Sequence, residues 1–81
     1  MLKIYGTMQC KDCVECVEAF RANGVSYEFL EFSDSLAYLK EFLVIRDHND
    51  VFAEIRGSVK IGIPCLVCDD GEVTLDWKKF V

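Results

Sequence analysis

The feature that most constrains this chain is a pair of cysteines at the junction of two segments with different periodicity. Residues 2–5 form a short run of β-favouring side chains that stops at Gly6-Thr7. From about Cys13 to Ala22 the apolar residues recur at helical spacing, and Asn23-Gly24 supplies a stop signal. The motif Cys10-Lys11-Asp12-Cys13 therefore lies where a first strand passes into a first helix.

The rest of the chain continues this alternation. We expect a second strand at 25–32 and then a helix at 36–45, which Ser33-Asp34-Ser35 would cap. A short helix should follow at Val51–Arg56, capped by Asn49-Asp50, and then a β-rich run at Val59–Val67 that Gly62 and Pro64 interrupt. The turn Asp69-Asp70-Gly71 predicts a return strand at Glu72–Leu75, and Asp76 would cap a terminal helical turn. The order β-α-β-α-β-β-α, with the extra short helix, predicts one α/β domain over residues 1–81. Its mixed four-stranded sheet should form the middle of a three-layer α/β/α arrangement.

The position of Cys10 before a helix predicts redox chemistry. A cysteine at a helix start faces unpaired backbone N–H groups and the positive end of the helix dipole, and both favour the thiolate. Lys11 adds to this effect, whereas Asp12 opposes it. Cys13, three residues later, can reach Cys10 and close a disulfide. The alternatives are two buried structural cysteines or half of a zinc site.

Three further cysteines need separate explanations. Cys16 falls near the sheet-facing side of the first helix, where we expect it in the core. Cys65 and Cys68 form a second C-x-x-C on a predicted strand. A rise of ~3.3 Å per residue separates their Cα atoms by roughly 10 Å, and a disulfide needs Cα atoms closer than ~7 Å. We expect Cys65 to be buried, with a third active-site thiol as the alternative. A metal-binding protein that holds zinc or an iron–sulfur cluster through both pairs also stays open.

Charge and termini exclude several functional classes. The formal net charge is −5, and no cluster of Lys or Arg suggests nucleic acid or an anionic membrane as a partner. The first residues lack the basic and apolar regions of a signal peptide, and no apolar stretch is long enough to span a bilayer. These features, with an odd number of cysteines, predict a cytoplasmic protein, which we expect to be a monomer. His48, within a polar stretch, is expected in a solvated loop.

The motif Cys10-Lys11-Asp12-Cys13 after a first strand, with Ile63-Pro64 opening the third, resembles the glutaredoxin branch of the thioredoxin superfamily across essentially the whole chain. The resemblance implies a thioredoxin-like fold and a thiol–disulfide oxidoreductase that reduces protein disulfides or glutathione mixed disulfides. Cys10 would attack and Cys13 would resolve. The Ile63–Pro64 peptide would be cis, beside the Cys10 loop. The chain is also similar to small redoxins that reduce ribonucleotide reductase, through its short length and its late Trp77 and Phe80.

The same resemblance implies the partners and the binding residues. The partners would be a disulfide-containing protein or glutathione, together with a reductase; no bound cofactor is expected, and glutathione is the candidate co-substrate. Ile63 and Pro64 would bind the substrate backbone or the glutathione moiety. Glutaredoxins usually carry an aromatic residue inside the motif, where this chain has Lys11 and Asp12. Lys11 is expected to contribute to the binding site, and Asp76 to replace in part an acidic residue of the family.

Overall fold

The computed structural model describes residues 1–81 and contains four strands, two α-helices and two 3₁₀ turns. In chain order these are β1 (Leu2–Gly6), α1 (Lys11–Ala22), β2 (Tyr27–Glu31), α2 (Leu36–His48), the first 3₁₀ turn (Asp50–Phe52), β3 (Cys65–Val67), β4 (Val73–Thr74) and the second 3₁₀ turn (Trp77–Phe80). The order confirms the predicted alternation and the final hairpin. None of the helices has the length and apolar composition needed to cross a membrane.

The four strands form one mixed sheet in the order β2-β1-β3-β4. β1 and β2 are parallel and in register from Leu2 opposite Tyr27 to Gly6 opposite Glu31. β3 runs antiparallel to β1, and β4 runs antiparallel to β3. The predicted mixed four-stranded sheet is therefore confirmed, with β1 and β3 as its central strands.

The hydrophobic core has two parts because successive side chains of β1 point to opposite faces of the sheet. Ile4 packs on one face, with Cys16 and Phe20 of α1. Tyr5 packs on the other face, with Phe42 of α2 and other buried side chains, namely Leu30, Phe52 and Cys65. The two helices consequently cover opposite faces, which gives the three layers expected from the sequence.

Both α-helices extend beyond their predicted ends. α1 begins at Lys11, two residues before the expected start. α2 begins after Ser35, whose Oγ accepts the Ala37 N–H at 3.2 Å, which confirms the predicted cap. α2 continues to His48, whose Nδ1 lies 2.8 Å from the Val44 carbonyl oxygen. The prediction of a loop at His48 was wrong because polar residues also suit an exposed helix face.

The prediction that a strand starts at Val59 was wrong, because β3 begins only at Cys65. Gly62 has φ +95°, which does not belong to a strand, and Pro64 has no N–H for a sheet hydrogen bond. β2 likewise begins at Tyr27 rather than at residue 25. The segment before Gly62 is therefore free of the sheet and forms part of a surface loop.

Two predicted helical features near the edges of the fold also differ. The expected helix Val51–Arg56 is reduced to the first 3₁₀ turn, where the Asn49 side chain accepts the Val51 N–H at 3.0 Å. The second 3₁₀ turn occurs where a terminal turn was expected. Asp76 precedes it but makes no capping hydrogen bond, so the predicted cap was wrong.

Candidate functional site

Cys10 occupies the N-cap position of α1, directly after the loop that leaves β1. Its backbone is extended, with φ −97° and ψ 126°, and the 12-residue helix begins at the next residue. The Cys10 N–H donates to the Thr7 carbonyl oxygen at 3.0 Å, and the Cys10 carbonyl accepts the Val14 N–H at 3.1 Å. The side chain is partly exposed. The predicted helix start beside Cys10 is confirmed.

Cys13 lies one helical turn later and is fully buried. Burial is the main cause that raises the pKa of Cys13 to about 12, and the neighbouring Cys10 thiol raises it further. The Thr7 backbone N–H interacts with the Cys13 sulfur and acts in the opposite direction. The motif thus combines an accessible thiol with a buried, protonated thiol next to it, and no disulfide joins them.

Two residues that sequence reasoning missed shape this loop. Gly6 has no side chain at the point where the Cys13 sulfur lies against the end of β1. The carboxylate of Glu31, at the end of β2, accepts the Met8 N–H at 2.8 Å and the Ser33 N–H at 3.1 Å. Burial works to raise the pKa of Glu31, but these backbone donors lower it overall. The sequence signal at Gly6 was a glycine after a strand, interpreted only as a stop.

A groove of about 430 Å³ opens beside Cys10. Its lining is mostly apolar, and its charged members are Asp12 and Lys60. The full lining is Cys10, Asp12, Ile55, Val59, Lys60, Ile61, Gly62, Ile63, Pro64, Leu75 and Trp77. The Ile63–Pro64 peptide bond is cis, as predicted. The structure therefore brings together Cys10, Ile63 and Pro64, which are distant in sequence.

The other two expected binding residues lie elsewhere on the surface. Lys11 is exposed at the first position of α1, and Asp76 is exposed before the second 3₁₀ turn; neither lines the groove. Of the two residues between Cys10 and Cys13, Asp12 lines the groove. Trp77 also lines the groove. The sequence did not predict this contact because Trp77 is far from Cys10 along the chain.

Hydrogen bonds from two arginines hold one wall of the groove. The Arg56 guanidinium donates to the carbonyl oxygens of Arg46, at 2.7 Å, and Asn49, at 3.0 Å. The Arg46 guanidinium in turn donates to the Lys60 carbonyl at 3.1 Å. A β-carbon on Gly62 would lie 2.7 Å from Cε1 of Phe52. The loop is thus tied to the end of α2 and packed closely onto the core.

The remaining cysteines are dispersed. Cys16 is fully buried on the α1 face of the sheet and Cys65 on the α2 face, which confirms their predicted burial. Cys68 is partly exposed, with its sulfur 3.9 Å from the Glu72 carboxylate. No three His, Cys, Asp or Glu side chains are grouped so that they could hold a metal ion. Cys16 and Cys65, on opposite faces of the sheet, cannot ligate one ion together.

Comparison with known proteins identifies a relative of the same size class. No protein-family model and no solved structure matches the chain. An uncharacterized protein of Haemophilus influenzae is 34% identical over 70 residues, which cover 86% of this chain and 81% of the relative. This degree of identity over most of both chains shows common ancestry. The chain belongs to the same family as this Haemophilus influenzae protein.

Proposed function

We propose that the protein is a thiol–disulfide oxidoreductase of thioredoxin-like, glutaredoxin-type fold. The observation that carries the proposal is the pairing of a partly exposed Cys10 at the N-cap of α1 with a buried Cys13 that interacts with it one turn later. The helix start presents unpaired backbone N–H groups and the positive end of the helix dipole at the accessible position. Burial protects the second thiol from solvent until a mixed disulfide forms beside it.

The reaction proceeds in two exchanges that transfer two electrons to the substrate. The Cys10 thiolate attacks one sulfur of the substrate disulfide; a Cys10–substrate disulfide forms, the substrate S–S bond breaks, and the leaving thiolate takes up a proton. Cys13 then loses its proton and attacks the Cys10 sulfur. The Cys10–Cys13 disulfide forms, and the second substrate thiol leaves in reduced form.

The topology supports the assignment of fold type. A parallel β1–β2 pair is connected through α1, an antiparallel β3–β4 hairpin completes the sheet, and a cis Ile63–Pro64 peptide lines the groove beside Cys10. These are the features that the resemblance to glutaredoxins implies. The odd number of cysteines in so short a chain favours a cytoplasmic location, where thiols stay reduced.

The lining of the groove favours a protein disulfide over glutathione as the substrate. Glutathione carries two carboxylates and one ammonium group, whereas the groove offers Lys60 as its one cation, together with Asp12. The remaining surface is mostly apolar, including Val59, Ile61 and Trp77. A cysteine flanked by apolar residues in an extended segment would bury these side chains, and its backbone would pair with Ile63.

Three variants test the proposal. Cys10→Ser should abolish reduction of a peptide disulfide, because no other thiol stands at the helix start. Cys13→Ser should accumulate a mixed disulfide at Cys10 that mass spectrometry detects. Cys68→Ser, which alters the second C-x-x-C at a partly exposed position, is the matched control and should retain wild-type turnover. Wild-type turnover by Cys10→Ser would end the proposal.

Parallel assays define the substrate and the reductant. A disulfide peptide with large apolar residues beside its cysteine should be reduced with a higher kcat/KM than glutathione disulfide. Glutathione with its reductase, and thioredoxin reductase, should be compared as electron donors. Metal analysis of anaerobically purified protein tests the alternative metal-binding function: stoichiometric zinc or iron that blocks alkylation of Cys10 would favour it.

A further inference from the structure

The loop between β1 and α1 contacts both cysteines of the motif through a single residue. The Thr7 carbonyl oxygen accepts the Cys10 N–H at 3.0 Å. The Cys13 sulfur lies against Gly6, where a β-carbon would be 2.7 Å from it, and the backbone N–H of the next residue, Thr7, interacts with that sulfur. Thr7 Oγ1 also accepts the Gln9 N–H at 3.3 Å, inside the same loop. Thr7 thus contacts the sulfur of Cys13 but the backbone of Cys10, so a displacement of its N–H changes the surroundings of the Cys13 thiol.

A carboxylate from the neighbouring strand holds this loop in place. Glu31 accepts the Met8 N–H through Oε1 at 2.8 Å and the Ser33 N–H through Oε2 at 3.1 Å, and it interacts with the Thr7 hydroxyl. Gly6 and Glu31 are register partners at the ends of β1 and β2, and the Phe32 N–H donates to the Gly6 carbonyl at 2.9 Å. Glu31 thus connects the end of β2 to the residue that contacts both cysteines.

We propose that Glu31 is a positioning residue of the dithiol, which acts through Thr7 and increases the rate at which Cys13 attacks the mixed disulfide at Cys10. This inference rests on the proposed function. Cys13 is fully buried, so its thiolate lacks solvation by water during the attack. A backbone N–H directed at that sulfur stabilises the thiolate. An ionised Glu31 keeps the N–H of Thr7 in this position.

The two exchange steps can be followed separately with dithiobis-nitrobenzoate as the probe. Attack by Cys10 breaks the probe disulfide, releases one coloured thiolate and leaves a mixed disulfide. Attack by Cys13 then forms the Cys10–Cys13 disulfide and releases the second coloured thiolate. A Cys68→Ser background removes the other partly exposed thiol. Stopped-flow absorbance then gives a first and a second phase.

Glu31→Gln should slow the second phase about threefold and leave the first phase unchanged. A rise of about one pKa unit at the attacking thiol lowers its thiolate fraction tenfold, but the more basic thiolate is about threefold more nucleophilic. The substituted amide would keep one acceptor oxygen but would present its own N–H to one of the backbone donors. Thr7→Val should act in the same direction, whereas Thr7→Ser keeps the hydroxyl and should retain the wild-type ratio of phases. Glu28→Gln, an equal change of charge at an exposed position of the same strand, is the control.

The ratio of the two phases separates positioning from general destabilisation. A folded Glu31→Gln protein with the wild-type ratio, or with both phases slowed equally, would overturn the role of Glu31. If that variant does not fold, Thr7→Val decides in the same way. A wild-type protein that shows no second phase would instead overturn the proposed function itself, so the two failures are distinguishable.

Discussion

A β-carbon on Gly6 would lie 2.7 Å from Sγ of Cys13 and 3.5 Å from Cζ of Phe29. The first of these distances is too short for two side-chain atoms, so any larger residue would displace either the end of β1 or the start of α1. Glycine at this position therefore allows the first strand to lie directly against the second cysteine of the motif. The same peptide continues into Thr7, which contacts both cysteines.

Gly6→Ala should destabilise the reduced protein by about 1–3 kcal/mol, the usual cost of inserting an extra carbon into a packed site. It should also slow formation of the Cys10–Cys13 disulfide, since the Cys13 sulfur must move. Urea unfolding and single-turnover oxidation measure the two effects. Gly24→Ala is the control: φ there is +68° with open space around it, so it should cost stability through the backbone but leave oxidation unchanged.

Alkylation of the reduced, folded protein should label Cys10 first. Cys10 is partly exposed, whereas Cys13, Cys16 and Cys65 are fully buried. Cys68 is also partly exposed, but burial and then the Glu72 carboxylate raise its pKa, which lowers its thiolate fraction. Limited iodoacetamide treatment near neutral pH, followed by peptide mapping, gives the order. Labelling of Cys68 before Cys10 would contradict the expected reactivity.

The reduced protein should lose stability at alkaline pH. Burial raises the pKa of Cys13 and Cys65 to about 12 and that of Cys16 to about 11. Thiols in the unfolded chain ionise at about pH 8.5, so their stabilising contribution is complete below that pH and is lost as the pH rises toward the folded values. Between about pH 8 and pH 10 the free energy of unfolding should fall by about 1–2 kcal/mol per buried thiol.

Urea titrations under reducing conditions at several pH values measure this decline. Cys16→Ala removes one of the three buried thiols and should make the decline shallower. Cys68→Ser, at a partly exposed position, should leave the slope close to that of the wild type. A stability that is constant from about pH 8 to pH 10 would contradict the burial of these thiols.

Glu31 should stabilise the fold at neutral pH and cease to do so in acid. Its pKa is lowered overall because the Met8 and Ser33 N–H groups outweigh the opposing effect of burial. A lowered pKa gives stabilisation that is present above the unfolded value of about 4.3 and is lost as the pH falls through the folded value. The stability difference between wild type and Glu31→Gln should therefore be largest near neutrality and shrink below about pH 4.

Chemical denaturation from about pH 7 to pH 3 measures how the stability difference between wild type and Glu31→Gln changes with pH. Glu28→Gln serves as the reference for the change in net charge, and its difference from wild type should vary much less with pH. If the wild type and Glu31→Gln differ by the same amount at every pH, the carboxylate of Glu31 does not hold the loop in its ionised form.

Local sequence patterns were enough to predict the order of elements and the position of Cys10 at a helix start. Alternation of apolar residues distinguishes strands from helices within a few residues, and Asp69-Asp70-Gly71 specifies the hairpin turn through Gly71, which has φ +91°. A C-x-x-C motif between a strand and a helix predicted Cys10 at a helix start. These are local properties, because hydrogen bonds within a helix or a turn join residues close in sequence.

The completion of the site depends on contacts between segments that are distant in sequence. Glu31 is brought to the loop before Cys10 by the pairing of β1 with β2, and Trp77 reaches the groove from the last turn of the chain. The sequence also placed the start of β3 too early, because the segment before Gly62 is tied to α2 rather than to the sheet. Such contacts depend on the register and packing of distant segments, which local periodicity does not encode.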